Sequence, residues 1–363
     1  MSAVLVGADV KLPSPLRSLK GTVEEPWQQV LADTAAQGLD GVLVRTLYEL
    51  SPTLDAGLLR EVADTAAGLG LYLELGVGKV NPYMAAELPE IRRLGDGSYV
   101  EGMARMIEAA AAIGCHELWT ATGNFQAALP GLHKNDRYRR DAPWADQVAA
   151  TQRLLEQLAP VLRAHGSHLN LETHEEITTP EVVRLVEAVG PDVLGIAFDS
   201  GNVYVHGETA EAAARRVAPY TRMCHLRDVA IVEGPETLDR YLVPCGEGTI
   251  DWAQVLGVLL AATPDLHLTV EPAGPRQPAM QIWYDDPRWR AAHPDLDPHE
   301  LDAVLDCVGA YEHHVRSFDR PDAAALRAGG LFTREEFLRR SAGHLRSVVA
   351  AGDHTHPTKE YIR

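Results

Sequence analysis

The sequence predicts a single α/β domain folded as a (β/α)₈ barrel, and three observations point to it. Short apolar runs alternate with amphipathic helical patterns eight times along the chain. The last four of those runs each carry, at or near their C-terminal end, a residue able to bind a metal. The length of 363 residues suits one such barrel with insertions, because these barrels run to about 250 residues and exceed ~400 with added segments.

The predicted strands lie near Val4 to Val10, Gly41 to Arg45, Leu71 to Leu75, Glu117 to Ala121, His168 to Thr173, Leu194 to Asp199, Met223 to Arg227 and Leu266 to Glu271. The predicted helices run from Glu24 to Gln37, Gly57 to Leu69, Val100 to Ile113, Ala145 to His165, Pro180 to Val189, Thr209 to Val217, Trp252 to Ala262 and Asp297 to Ser317. Each carries apolar residues at i, i+3, i+4 and i+7. Thr179-Pro180 ahead of EVVRLVEAV reads as a capped helix start, and Gly190-Pro191 as its stop. Three segments exceed a minimal barrel. Insertions at 124–144 and 273–297 would overhang the C-terminal rim as lids, within a barrel domain spanning 1–318, and 319–363 forms a C-terminal extension with a helical pattern in FTREEFLRRSAGHLRSVVA.

Composition narrows the function classes. A formal charge of −18 opposes binding to a phosphate backbone, so no nucleic-acid partner is expected. No segment approaches the ~18 uninterrupted apolar residues of a membrane span. The N-terminal MSAVLVGADV lacks a basic region ahead of its apolar run and reads as a first strand, giving a cytoplasmic expectation. Cys115, Cys224, Cys245 and Cys307 are scattered without CxxC pairing, and free thiols are expected. Strand alternation turns Cys224 away from its neighbour His225, toward the helix layer.

The chemistry concentrates in four strand ends: Glu172 in HLNLETHEE, Asp199 in VLGIAFDSGN, His225 in RMCHLRD and Glu271 in LHLTVEPAG. In a parallel barrel these side chains project from one rim toward one point. Three carboxylates and an imidazole make a hard, oxygen-rich ligand set for one divalent ion, with Mn²⁺ expected and Mg²⁺, Co²⁺ or Zn²⁺ as alternatives.

ETHEE, FDSGN, CHLRD, CGEGTIDW and TVEPAG, in this order, resemble the sugar isomerase/epimerase superfamily with the xylose-isomerase-like TIM barrel, over Leu169 to Gly274. The resemblance implies that Glu172, Asp199, His225 and Glu271 bind the metal. It also implies that Glu172 and Glu271 flank a substrate carbon that loses and regains a proton. Arg227 then stands where a basic residue meets substrate, or else neutralises its acidic neighbours. CGEGTIDW reads as a structural loop whose Asp251 starts a helix. The implied reaction is isomerisation or epimerisation of a sugar by proton abstraction beside a carbonyl. The alternative is β-elimination from a 3-oxo-glycoside, as in the large subunits of C-glycoside deglycosidases, which resemble this chain and work with a small second subunit. An oligomer is expected in either case. The superfamily's apurinic-site endonucleases require extra histidines at early strand ends, where this chain has LELGVG and TATGN.

Further candidates have bland alternatives. His174 is a substrate contact or a rim histidine, and Asn202 a substrate contact or a turn residue. His133 in PGLHKND is an added acid or base on the lid, or a solvated loop histidine. Trp283, Tyr284 and Trp289 line a pocket or seal an interface.

Overall fold

The computed structural model describes residues 4–12, 26–85, 88–123, 126, 128–274, 276–318 and 320–352. The start of the first predicted helix, residues 124, 125 and 127 of the first insertion, residue 275 of the second, and residues 319 and 353–363 of the extension lie outside them.

Eight parallel strands make a nearly closed barrel, the first seven side by side in chain order and the last paired with the first. They are β1 (Val6–Val10), β2 (Gly41–Val44), β3 (Tyr72–Gly76), β4 (Glu117–Thr120), β5 (His168–Glu172), β6 (Leu194–Asp199), β7 (Thr221–His225) and β10 (Leu268–Val270). The seam is joined just beyond β7, where Leu226 bridges Val270 and its N–H donates to the Thr269 carbonyl at 2.8 Å. All eight predicted strands are present. Alternation along them sets two apolar layers. Leu43, Trp119, Ala121, Ala197 and Met223 pack together in one cluster. Cys224 belongs instead to the larger core, with helix residues such as Val255, Leu256 and Leu259. All four cysteines are free thiols.

The outer layer contains α1 (Trp27–Ala36), α2 (Ala56–Gly68), α3 (Tyr99–Ala111), α4 (Trp144–His165), α5 (Thr179–Val189), α6 (Ala210–Val217) and α7 (Trp252–Ala262). The cap of α5 is Thr178, one residue before the predicted position. Its hydroxyl accepts from the Glu181 N–H while the Glu181 carboxylate accepts from the Thr178 N–H. That reciprocal box requires the acid at the third helical position, which Glu181 occupies relative to Thr178 and not to Thr179.

Two features depart from the sequence reading. Between β7 and α7 the chain forms an antiparallel hairpin, β8 (Asp228–Glu233) and β9 (Leu238–Val243), and β11 (Met280–Ile282) from the second insertion adds to β9. The helix α8 (Pro298–Phe318), predicted to be the eighth barrel helix, packs on β8 of this small sheet. Its place beside the closing strands is taken by α9 (Arg334–Gly352), which packs on β1, β10 and α7. Both helices are amphipathic, and the hairpin supplies an apolar outer face of Ala230, Val232, Tyr241 and Val243 that α8 covers with Tyr311.

Candidate metal centre

The barrel register brings Glu172, Asp199, His225 and Glu271 to one place. The first three are the last residues of β5, β6 and β7, and Glu271 directly follows β10. One ligand atom from each lies within 4.8 Å of the others. Glu172, Asp199 and His225 are buried, and Glu271 is nearly so.

The carboxylates are held from several directions. Glu172 accepts from Trp119 Nε1 at 2.9 Å and from Asn202 Nδ2 at 3.3 Å. Asp199 Oδ1 accepts the N–H groups of Gly201 at 2.8 Å and Asn202 at 3.0 Å, and Arg227 pairs with the same carboxylate. Arg227 also lies 2.9 Å from Glu271 Oε2 and donates to Asn202 Oδ1 at 3.0 Å. Arg45, at the end of β2, pairs with Glu271 and donates through Nε to Asp9 at 2.6 Å. Gly201 has no room for a side chain, since a Cβ there would fall 2.7 Å from Leu242 Cδ2 and 3.1 Å from Arg227 Cγ.

The electrostatics fit a cation at the point where these groups meet. Burial pushes the Asp199 carboxyl up to about 7, helped by the Glu271 and Glu172 charges and opposed by Arg227. Burial also pushes Glu172 up, but His225 and His174 outweigh it and bring it down to about 2. Glu271 is likewise buried and yet held well below the carboxylate range by Arg227 and Arg45. His225 is fully buried, and neither ring nitrogen has a hydrogen-bond partner among the described residues. Its Nδ1 is 3.4 Å from Glu172 Oε1 and 3.6 Å from Glu271 Oε2, too far for a well-formed bond. An imidazole with unused nitrogens, enclosed by three carboxylates, is the donor set of a hard divalent site, and the cluster can bind a metal ion.

The other predicted site residues are distributed unevenly. Asn202 and Arg227 join the cluster through the bonds above. His174 stands beside it, 2.9 Å from Glu175 and 2.5 Å from Glu176. The His174 imidazole is raised well above its ordinary range: burial lowers it, but the Glu175, Glu176 and Glu172 charges win. His133 is held within its own lid, with Nδ1 2.8 Å from the Tyr138 carbonyl and Nε2 3.2 Å from Arg140. The two insertions meet, with Val205 and His206, around a cleft lined by Trp283 and Trp289 among others.

CGEGTIDW is structural, and its partner is Asp228. That buried carboxylate accepts from the N–H groups of Val229, Gly246 and Ile250 and from Trp252 Nε1. Asp251 caps α7 by accepting from Gln254 N–H. Sequence reading missed Trp119, Arg45 and Asp9, which reach or support the ligands from the first half of the barrel. The available signal was position alone, because Asp9 and Arg45 lie next to or at the end of a predicted strand and Trp119 lies within one.

Residues 31–293 match the xylose isomerase-like TIM barrel family, and the chain belongs to that family. Over 207 residues it is 28% identical to 3-oxo-isoapionate decarboxylase of Pectobacterium atrosepticum, a match covering 55% of this chain and 60% of that protein. Over 100 residues it is 27% identical to the uncharacterized protein YihM of Escherichia coli (strain K12), covering 28% of this chain and 31% of the other. The chain thus spans less than two thirds of the length of these curated relatives. Among solved structures, an L-ribulose 3-epimerase superposes with a TM-score of 0.58 at 16% identity, covering 99% of both chains. A xylose isomerase-like TIM barrel protein from Mycobacterium smegmatis in complex with magnesium gives 0.56 at 14% identity, covering 86% of this chain and 99% of that one. At these identities the likeness establishes the fold.

Among the described residues no helix is long and apolar enough to cross a membrane.

Proposed function

We propose that this protein is a divalent-metal-dependent sugar isomerase or epimerase that acts by removing a proton from the carbon beside a carbonyl. The observation that carries the reading is His225, buried with two unused ring nitrogens between Glu172 and Glu271. Glu172, Asp199, His225 and Glu271 would hold the ion. When bound, the ion supplies Lewis-acid stabilisation of the negative charge that develops on the carbonyl oxygen, without which a carboxylate is too weak a base for such a carbon.

The rest falls to the chain's own groups. Glu172 and Glu271 are both ionised at neutral pH, one held by Trp119 and Asn202, the other by Arg45 and Arg227. Each can accept a proton at its carboxylate. Transfer from one face of the carbon to the other inverts it, and transfer between adjacent carbons on one face moves the carbonyl. His174, partly exposed beside the cluster, is the proposed substrate contact.

A second reading shares the first electronic demand. The named relative from P. atrosepticum is a decarboxylase, and loss of CO₂ from a 3-oxo acid leaves its electron pair as the same enolate, which is then protonated on carbon. β-Elimination from a 3-oxo-glycoside passes through that enolate as well. The test is solvent exchange: the protein with Mg²⁺ in D₂O is incubated with D-fructose, D-psicose and the 3-oxo acid 3-keto-D-gluconate, and products, including CO₂ above the spontaneous rate, are read by mass spectrometry. The proposal expects deuterium on carbon beside the carbonyl, lost in Glu172→Gln and Glu271→Gln. Release of CO₂ without prior exchange favours the second reading, and exchange that survives in both variants contradicts both.

A further inference from the structure

We propose that Arg240 is the anion-recognition residue of this site, and that the substrate is a keto sugar acid whose carboxylate docks on its guanidinium. This deepens the enolising reading above and rests on it.

Arg240 lies in the middle of β9, paired across the small sheet with Ile231 and Met280. It is 1% exposed and among the largest fully buried side chains of the described residues. Among the described residues it has no carboxylate partner, its Nε is buried without any hydrogen-bond acceptor, and one terminal nitrogen reaches only Met280 Sδ at 3.0 Å. A thioether is a weak acceptor and carries no compensating charge. The other buried arginines are matched: Arg137 pairs with both oxygens of Glu181, and Arg227 with Asp199 and Glu271. A buried guanidinium left without an anion is costly, and one is retained here.

The hairpin aims it. Tyr241 and Val243 point to the outer face, where they pack with Tyr311 and Leu326. Arg240 alternates with them and shares its face with Leu242, which abuts Gly201 next to the Asp199 ligand. Its charge acts on Glu175, Arg227, Asp199 and Glu271. Met280, which touches it, also lines the cleft shared by the two insertions. The group therefore sits on the small sheet that overlies the metal cluster, beside the space a substrate would enter.

Carboxylate is the chemistry that fits. Hydroxyl groups would bond the guanidinium but leave its charge uncompensated. A phosphate brings more charge than one arginine balances, and it meets more repulsion than a singly charged carboxylate does from the nearby Glu175. A carboxylate matches the planar fork and brings one negative charge. The carbonyl would then be held at the metal ligands and the acid group at β9.

The test uses the full-length Mn²⁺-loaded protein and calorimetric titration with 5-keto-D-gluconate, D-fructose and D-fructose 6-phosphate. The expected result is that the keto acid binds at least ~10-fold more tightly than D-fructose and more tightly than the phosphate. Arg240→Met removes that preference and Arg240→Lys keeps part of it, with Mn²⁺ stoichiometry unchanged in both. Equal binding of keto acid and fructose by the wild type, stronger binding of the phosphate, or a preference that survives in Arg240→Met would overturn the proposal. Should Arg240→Met fail to fold, the wild-type comparison and Arg240→Lys decide. Failure of the underlying reading is distinguishable, because it would appear as no bound Mn²⁺ in the wild type. Bound Mn²⁺ and solvent exchange with D-fructose, but no preference for the acid, would sink the Arg240 proposal alone.

Discussion

Strands β5, β6, β7 and β10 bring one candidate metal donor each to a common point, whereas β1, β2 and β4 bring Asp9, Arg45 and Trp119, which bond to those groups or support the groups that do. The first set consists of three carboxylates and an imidazole. The second set is mixed in chemistry and makes its contribution through hydrogen bonds and ion pairs. The difference shows how a barrel divides labour around its rim: one half supplies the charge that a cation requires, and the other fixes the angle at which that charge is presented. Glu271 illustrates the point: burial raises it, but Arg227 and, from the other half, Arg45 hold it well below the ordinary carboxylate range.

The largest effect should come from the donors. His225→Ala or Glu271→Gln is expected to lower divalent-ion affinity by more than about 100-fold, beyond the range typical of residues that only support ligands. Turnover should fall with it, and chelation of the wild type should abolish activity that added Mn²⁺ restores. The supporting half should matter less. Trp119→Phe and Arg45→Gln are each expected to weaken metal binding by roughly 10–100-fold while the fold stays intact, as measured by calorimetry and circular dichroism. Losses as large as those of His225→Ala would erase the distinction between the halves.

Gly201→Ala tests the contact between the ligand loop and the hairpin. The added methyl would meet Leu242 and Arg227 at 2.7 and 3.1 Å, and a loss of roughly 1–3 kcal/mol in denaturant unfolding is expected. The lid contributes a smaller, pH-dependent term. His206 Nδ1 lies 2.8 Å from His293 Nε2, and His293 Nδ1 donates to the Trp289 carbonyl at 2.7 Å, so the pair joins the second insertion to the loop after β6. Burial holds His206 well below its ordinary 6.5 and brings His293 down to about 3. The unfolded chain then binds more protons than the folded one once the pH drops below 6.5. Stability from this pair is present above that value and is lost as the pH falls toward about 3. His293→Gln should flatten the acid side of the melting-temperature profile, and an unchanged profile would remove the pair from the account.

The cluster was legible because a strand end in a parallel barrel has only one rim to face, so Glu172, Asp199, His225 and Glu271 each announced a position as well as a donor type. Asn202 and Arg227 were legible for the same reason, as near neighbours of Asp199 and His225. Arg45 and Trp119 carry no comparable mark, since an arginine or tryptophan at a strand end serves many ends and only the register of distant strands shows what it touches. The hairpin was hidden differently. DVAIVEGPETLDRYLV contains two apolar runs about a Gly-Pro turn, but it falls where the barrel pattern demands only a loop before α7. Its covering helix α8 and the closing helix α9 have similar amphipathic patterns, and long-range packing alone decides which one lies on the barrel.

Metal stoichiometry of the purified protein tests the central claim most directly. Loaded with Mn²⁺, freed of excess ion and measured by elemental analysis, the wild type should hold one ion per chain, and His225→Ala and Glu271→Gln should hold essentially none. A wild type that retains no divalent ion, or variants that retain as much as the wild type, would contradict it.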